Sequence, residues 1–420
     1  MRNRILSSDR LVVLPAVLVL AVVSASPKLG AQDWPQWRGP ARDGLAVGQT
    51  APKSWPKELK QAWKVTVGVG HASPVVAGGR VFVFTRVGED EVLSAVDPAT
   101  GQTSWEKRYK APYTMNPAAR SHGKGPKSTP LVSGGRVFTF GISGTLSCLD
   151  AATGRVVWQK EVAPQFKTTS PLFGVAASPI LEGGLVIVHV GGHDDGALTA
   201  FDPATGAIRW TLKGDGPAYA SPVVAEIGGT RQLVTQTQTR VIGVDPAKGA
   251  LLWSLPFTTD YDQNTITPLV FGDLVVYSGL DKPLRAVRPV RKGSAWEATP
   301  VWESAEVAFY MSTPIAAGGR LFGFSHRKKG QIAALDPQTG RILWVSEGRQ
   351  GENAALVALG GSVLALNDAG VLVVFDAAAS RYAPLATYTV AESATWAHPA
   401  PVAGGLLVKD VDTLALYRFE

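Results

Sequence analysis

The 420-residue chain contains a single cysteine, Cys148. One thiol cannot close an internal disulfide, so stability has to come from a packed core, and an oxidising compartment is allowed but not exploited. Charge is scarce too, at 18% of residues. No basic helix or stacking motif accompanies the mild positive balance, which sets nucleic acid aside as a partner. The apolar run Leu11 to Val23 is too short to span a membrane comfortably. Neither a phosphate-cradling glycine loop nor a Ser/His/Asp nucleophile signature is present, and the turn Gly192-His193-Asp194-Asp195 has no second ligand cluster at a metal-binding spacing. These gaps argue against a disulfide scaffold, a P-loop enzyme and a zinc site.

The first residues read as a secretory leader. Arg2, Arg4 and Arg10 precede the apolar run and small residues follow it. Cleavage is expected after Ala31, or after Ala25 as second choice, with an uncleaved anchor as the alternative. Removing residues 1–31 takes away four bases (Arg2, Arg4, Arg10, Lys28) and one acid (Asp9), leaving 37 bases against 33 acids. A lipid anchor would need a cysteine at the mature N-terminus, and Cys148 lies far inside the chain. The expectation is an exported, soluble, non-lipidated monomer, periplasmic or extracellular.

Glycine and proline, by contrast, are abundant, at 45 and 29 residues, and they recur in a fixed phrase. Asp97-Pro-Ala-Thr-Gly101 followed by Trp105 is rewritten at Asp150 to Gly154 with Trp158, Asp202 to Gly206 with Trp210, Asp245 to Gly249 with Trp253, and Asp336 to Gly340 with Trp344. Aspartate folding its carboxylate onto backbone amides, with glycine in the left-handed position, makes this a hairpin turn between an apolar strand and a Trp-bearing strand. A second phrase precedes each copy: Ser73-Pro74, Thr129-Pro130, Ser178-Pro179, Ser221-Pro222, Thr267-Pro268 and Thr313-Pro314, often followed by a Gly-Gly turn. Two hairpins per repeat make four strands.

The repeats number eight between residues 60 and 419, a mean period of 45 residues. The strand around Trp63 lacks the three that should precede it, and the last repeat stops short of its fourth. Each completes the other. The predicted architecture is therefore all-β: an eight-bladed β-propeller of four-stranded antiparallel blades over residues 60–420, closed by the N-terminal strand pairing into the C-terminal blade. Because the seventh and eighth repeats are degenerate, a seven-bladed ring is the alternative. Residues 32–59, rich in Trp, Pro and Gly, are expected to lie as an ordered arm on the surface. Trp63, Trp105, Trp158, Trp210, Trp253, Trp302 and Trp344 are expected to dock neighbouring blades.

In a four-stranded meander both kinds of turn fall on one face, and the inter-blade links fall on the other. The link face is the expected site, with His71, Arg120, His122, Tyr219, Asn264, Tyr310, Asn353, Trp396 and His398 as candidate ligand- or partner-binding residues. An insertion, Lys110 to Ser128, adds Tyr113, Asn116, Lys124 and Lys127 to that face.

The repeat Ala/Leu-x-Asp-x-x-Thr-Gly-x-x-x-Trp resembles the mark of the pyrroloquinoline-quinone-like (PQQ-like) β-propeller family, over Trp63 to Phe419. The opening Trp34-Pro-Gln-Trp-Arg-Gly-Pro40 looks like the start of an exported bacterial branch of it. That resemblance implies either quinone-dependent alcohol or sugar dehydrogenases or non-enzymatic members, such as the propeller subunit of the outer-membrane β-barrel assembly machinery. The larger dehydrogenases use an adjacent cysteine pair, a calcium ion held by carboxylate and amide oxygens, and an Asp base. With Cys148 alone the pair cannot form. The expectation is a non-catalytic protein-binding or scaffolding module of the cell envelope, with protein or peptide partners and no cofactor or metal. A PQQ-dependent dehydrogenase with calcium is the alternative, and carbohydrate binding on Trp55, Trp296 or Trp396 a third reading.

Overall fold

The computed structural model describes Met1 and residues 33–420, so the expected leader and its cleavage sites lie outside the described residues. Everything below concerns the compact unit Ala31–Glu420. Among the described residues, eight four-stranded antiparallel sheets form an eight-bladed propeller. Blades 1 to 7 span residues 75–110, 131–161, 180–213, 223–256, 269–304, 315–345 and 354–389. Blade 8 combines residues 400–418 with Lys60–Thr66, which pairs antiparallel with Thr413–Arg418. That closure buries two strand edges that an open ring would leave unpaired. Both degenerate repeats fold as whole blades.

Burial falls from the axis outward, and the residue choice follows it. Inner strands are three to six residues of mostly small apolar side chains, such as Val75–Ala77, and the outer strand Thr103–Lys110 is almost wholly exposed. The Asp-Pro-Ala-Thr-Gly turn forms as its chemistry requires: Asp97 Oδ1 accepts from the Ala99 and Thr100 amides at 2.8 and 2.9 Å, and Gly101 adopts φ 76°.

The Trp after each turn sits opposite a small residue across a bulge in the strand pair. Trp105 faces Ala95, Trp158 faces Cys148, Trp210 faces Ala200, Trp253 faces Gly243, Trp302 faces Ala286 and Trp344 faces Ala334. Blade 7, which carries Ala386 in place of Trp, has the larger Val374 opposite. The pair conserves volume, as a close-packed interior demands. Cys148 is thus the small partner of Trp158, and burial pushes its thiol up to about 11.

Most of these Trp reach the next blade's turn. The indole N–H groups of Trp63, Trp158, Trp210 and Trp302 donate to the carbonyls of Pro98, Pro203, Pro246 and Pro337 at 3.0 to 3.1 Å. Trp105 and Trp344 do the same to Ala151 and Ala379. Trp253 is the exception. Blade 5 replaces the short turn by the long hairpin Lys282–Lys292 and Ala295–Ser304, so Trp253 donates instead to Gln232 Oε1 of its own blade at 2.7 Å.

The Ser/Thr-Pro phrase has a role that local turn chemistry does not reveal. Around the channel, hydroxyls of one blade accept amides of the one before: Ser73 to Thr129, Thr129 to Ser178, Ser178 to Ser221 and Thr267 to Thr313, all at 2.9 to 3.1 Å. The His398 amide donates to Ser73 Oγ at 2.9 Å and carries the belt across the chain closure. Each bond contributes about 0.5–1.5 kcal/mol net.

None of residues 47–59 is buried, and only the first part of the arm leaves the surface. It enters from the turn face, where Asp33 accepts from the Gly78 amide and Trp34 bridges Val76, and then fills the channel. Trp34, Arg38 and Arg42 are each only 2% exposed. Arg38 donates to the Pro314 carbonyl at 2.6 Å and Arg42 to the Pro179 and Ser178 carbonyls at 2.8 and 3.2 Å. A guanidinium presents several donors in a fixed fork, which suits carbonyls converging from different blades. Burial lowers Arg38 to about 10 and Arg42 to about 9, so both stay charged at neutral pH.

Candidate functional site

The arm converts the channel from a tube into a cup. Trp37 forms part of the lining of a cavity of about 180 Å³ at the link face, together with His71, His122, Lys127, Phe173, Tyr219, Gln263, Met311, Trp396 and His398. A wider depression of about 870 Å³ adjoins it through His122, Met311 and Trp396 and takes in Tyr310, His326, Lys329, Arg349, Glu352 and Asn353. Ring follows ring across the cavity wall: His71 to Trp396 at 5.9 Å, Trp396 to His122 at 5.6 Å, His122 to Phe173 at 5.3 Å and Phe173 to Tyr219 at 5.8 Å between centroids. Trp37 meets His398 at 5.4 Å.

The insertion after blade 1 builds one wall. Its two-turn 3₁₀ segment Pro117–His122 is capped by Asn116, and the chain beyond it is pinned by the His71 and Ala72 amides donating to the Pro126 carbonyl at 2.7 and 2.9 Å. His71 Nε2 lies 2.9 Å from the His122 carbonyl. His71 and His398 are both lowered to about 3, chiefly by burial, so both rings are neutral.

Seven of the nine residues expected from the sequence therefore sit on one cavity or both: His71, His122, Tyr219, Trp396 and His398 on the first, and Tyr310 and Asn353 on the second. Arg120 is exposed on the 3₁₀ segment and lines neither. Asn264 is 0% exposed and structural: its amide donates to the carbonyls of Thr237, Gln238 and Phe257. A polar residue before an inner strand reads the same in sequence whether it faces the channel or ties loops together. Trp37 and Gln263 are site residues that the sequence did not suggest, since nothing local tells an arm that fills a channel from one that lies on the surface. Of the Trp proposed for sugar contact, Trp55 is half-buried against Phe419 at 5.1 Å, and Trp296 covers Gly228. Only Trp396 looks into a cavity.

Backbone strain concentrates in the same places. Among the described residues, positive φ in non-glycine residues occurs at Arg38 and Arg42 of the arm and at Asp194, Tyr261, Asp262, Asp281, Lys328, Lys329 and Arg349 of the link face. Such conformations cost of order 1 kcal/mol or more each and persist where surrounding contacts impose them.

The donor set does not fit a calcium-bound quinone. No Asp, Glu or Cys lines the first cavity. Among the described residues, no group of three or more His, Cys, Asp or Glu could hold a metal ion. A hard cation is commonly held by several carboxylate oxygens, and this wall offers no carboxylate.

A family model described as outer membrane protein assembly factor BamB matches residues 56–119 and 89–346. BamB of Yersinia pestis is 25% identical over 298 residues, covering 68% of this chain and 61% of its own length. The quinoprotein alcohol dehydrogenase PedH of Pseudomonas putida is 26% identical over 162 residues, 37% of this chain and 25% of its length. The chain thus spans less than two thirds of either relative. Among solved structures, BamB from Moraxella catarrhalis superposes with a TM-score of 0.63 at 16% identity, covering 86% of this chain and 98% of that one. The quinohemoprotein alcohol dehydrogenase from Comamonas testosteroni gives 0.68 at 15% identity, with coverages of 92% and 80%. These superpositions establish a shared fold; with its repeated Trp-docked blades and a matching model over most of its length, the chain belongs to the PQQ-like β-propeller family described by outer membrane protein assembly factor BamB.

Proposed function

We propose that this protein is a non-catalytic binding module of the cell envelope, exported, and that its link face holds a polypeptide partner. One observation carries the reading: aromatic rings, basic side chains and strained backbone converge on a single face, while the opposite face is built of repeated short turns. Scaffold residues do not need strained loops, and binding surfaces often do. The relatedness to an outer membrane assembly factor supports the same compartment and class of partner. No helix among the described residues is long and apolar enough to cross a membrane.

A photo-crosslinking amino acid placed at Asn353, on the link face, and at Thr153, on the turn face, tests this in the native envelope. The expected outcome is one reproducible adduct from position 353 and none from position 153. Equal adducts from both faces, or none from either, would overturn it. The dehydrogenase alternative makes a separate demand: purified protein should be stabilised against heat by pyrroloquinoline quinone with calcium, and a clear shift would favour it over the present reading.

A further inference from the structure

Charge at the bottom of the cup is unbalanced. Lys127 is the one lysine or arginine on the first cavity's wall, and no carboxylate shares that wall. Its ammonium donates to the Gly123 carbonyl at 3.2 Å, and no carboxylate among the described residues forms an ion pair with it. Burial pushes it down to about 8, with no acid opposing the shift. Behind the floor lie two more cations, the Arg38 and Arg42 guanidinium carbons 5.3 and 5.6 Å from the Trp37 ring centroid; both side chains bond to neutral acceptors, and Asp43 beside Arg38 is the acid that acts on that pair. In the adjoining depression Lys329 and Arg349 face a single acid, Glu352.

Two further wall atoms are buried without a partner, Gln263 Oε1 and His398 Nδ1. An unpaired buried polar atom carries a desolvation penalty that a ligand can relieve. The space is small. About 180 Å³ is below the roughly 300–1,000 Å³ usual for small-molecule sites, and it suits one side chain or chain end with apolar walls for its stem. The wider depression beside it has room for the flanking chain.

We propose, building on the link face as a polypeptide-binding surface, that this cavity receives a single carboxylate of the partner chain, paired with Lys127, while Gln263 Oε1 accepts an adjacent peptide N–H. The carboxylate comes from an Asp or Glu side chain or from a free C-terminus. A charge-assisted bond to the half-buried Lys127 supplies both affinity and register.

Tryptophan fluorescence of the full chain reads the cavity directly, since Trp37 and Trp396 line it. Three probes separate the chemistry: N-acetylglutamate α-amide, with a side-chain carboxylate; N-acetylalanine, with a chain-end carboxylate; and N-acetylglutamine α-amide, with neither. One or both carboxylates should bind, whichever is tighter naming the source, and the glutamine probe should bind about tenfold more weakly or worse. Lys127→Met should weaken the carboxylate probes by a similar factor. Binding of the glutamine probe as tight as that of the tighter carboxylate probe, no response to either carboxylate, or unchanged affinity in a folded Lys127→Met variant would each overturn the proposal. Should that variant not fold, the wild-type comparison still decides. A crosslink at position 353 that persists undiminished in Lys127→Met would leave the partner-binding reading standing and remove this one.

Discussion

At the scale of single residues, most blade seams come down to a Trp, the small residue opposite it and the glycine it covers. A Cβ on Gly206 would lie 2.9 Å from the Trp158 ring, in a backbone held at φ 67°. Gly183 has a similar φ of 57° but open space around it. Gly183→Ala should therefore cost about 1 kcal/mol for conformation alone. Gly206→Ala should cost about 1–3 kcal/mol more, because the ring must move as well. Denaturant midpoints of the two variants give the difference, and equal losses would show that the ring yields freely. The docking role of the Trp is legible in its recurrence after the turn, whereas its partner, the next blade's turn, lies 35 to 46 residues away and shows only in the folded ring. The exception at Trp253 needed the long hairpin of blade 5 to be seen in place.

At the scale of elements, the arm is the part the sequence concealed. Its Arg38 and Arg42 bond to carbonyls 276 and 137 residues away, and no local pattern reports such distances. Composition suggests a surface segment held by Trp, which describes residues 47–59 and not the buried stretch around Trp34, Arg38 and Arg42. Arg42→Met keeps the bulk of the stem and leaves the Pro179 and Ser178 carbonyls without their donor. Loss of charged hydrogen bonds in a buried place is worth about 1.5–3 kcal/mol, and a drop of that size is expected in chemical denaturation. Acrylamide quenching of tryptophan should rise together with it, because Trp37 rests against both guanidiniums. A destabilised variant with unchanged quenching would mean that the cup floor does not depend on this arginine.

At the scale of the whole molecule, buried neutral histidines tie stability to pH. His71 and His398 are lowered to about 3 and His189 to about 4, in each case chiefly by burial. Unfolded histidines take up protons below about 6.5, and these three cannot do so while folded. The unfolded chain binds more protons between those limits, so stability must fall as pH falls from about 6.5 toward 4. The slope is at most about 1.4 kcal/mol per pH unit for each ring. Buried Glu91, raised above its usual value by desolvation, works in the opposite direction and offsets part of the loss. Melting temperatures at pH 7 and pH 5 check the sign, and a higher value at pH 5 would contradict it.

By itself the sequence determined the repeat, its four strands, the turn that joins the outer pair and the ring closed by its own N-terminal strand. Those features follow from contacts between near neighbours and from a period that can be counted. Tertiary structure alone decided what stands at the centre. The arginines lodged in the channel, the floor made by Trp37 and the unpaired Lys127 above it bring together residues far apart in the chain. A repeat cannot encode them, because each blade contributes only one piece and the pieces meet only when the ring has closed.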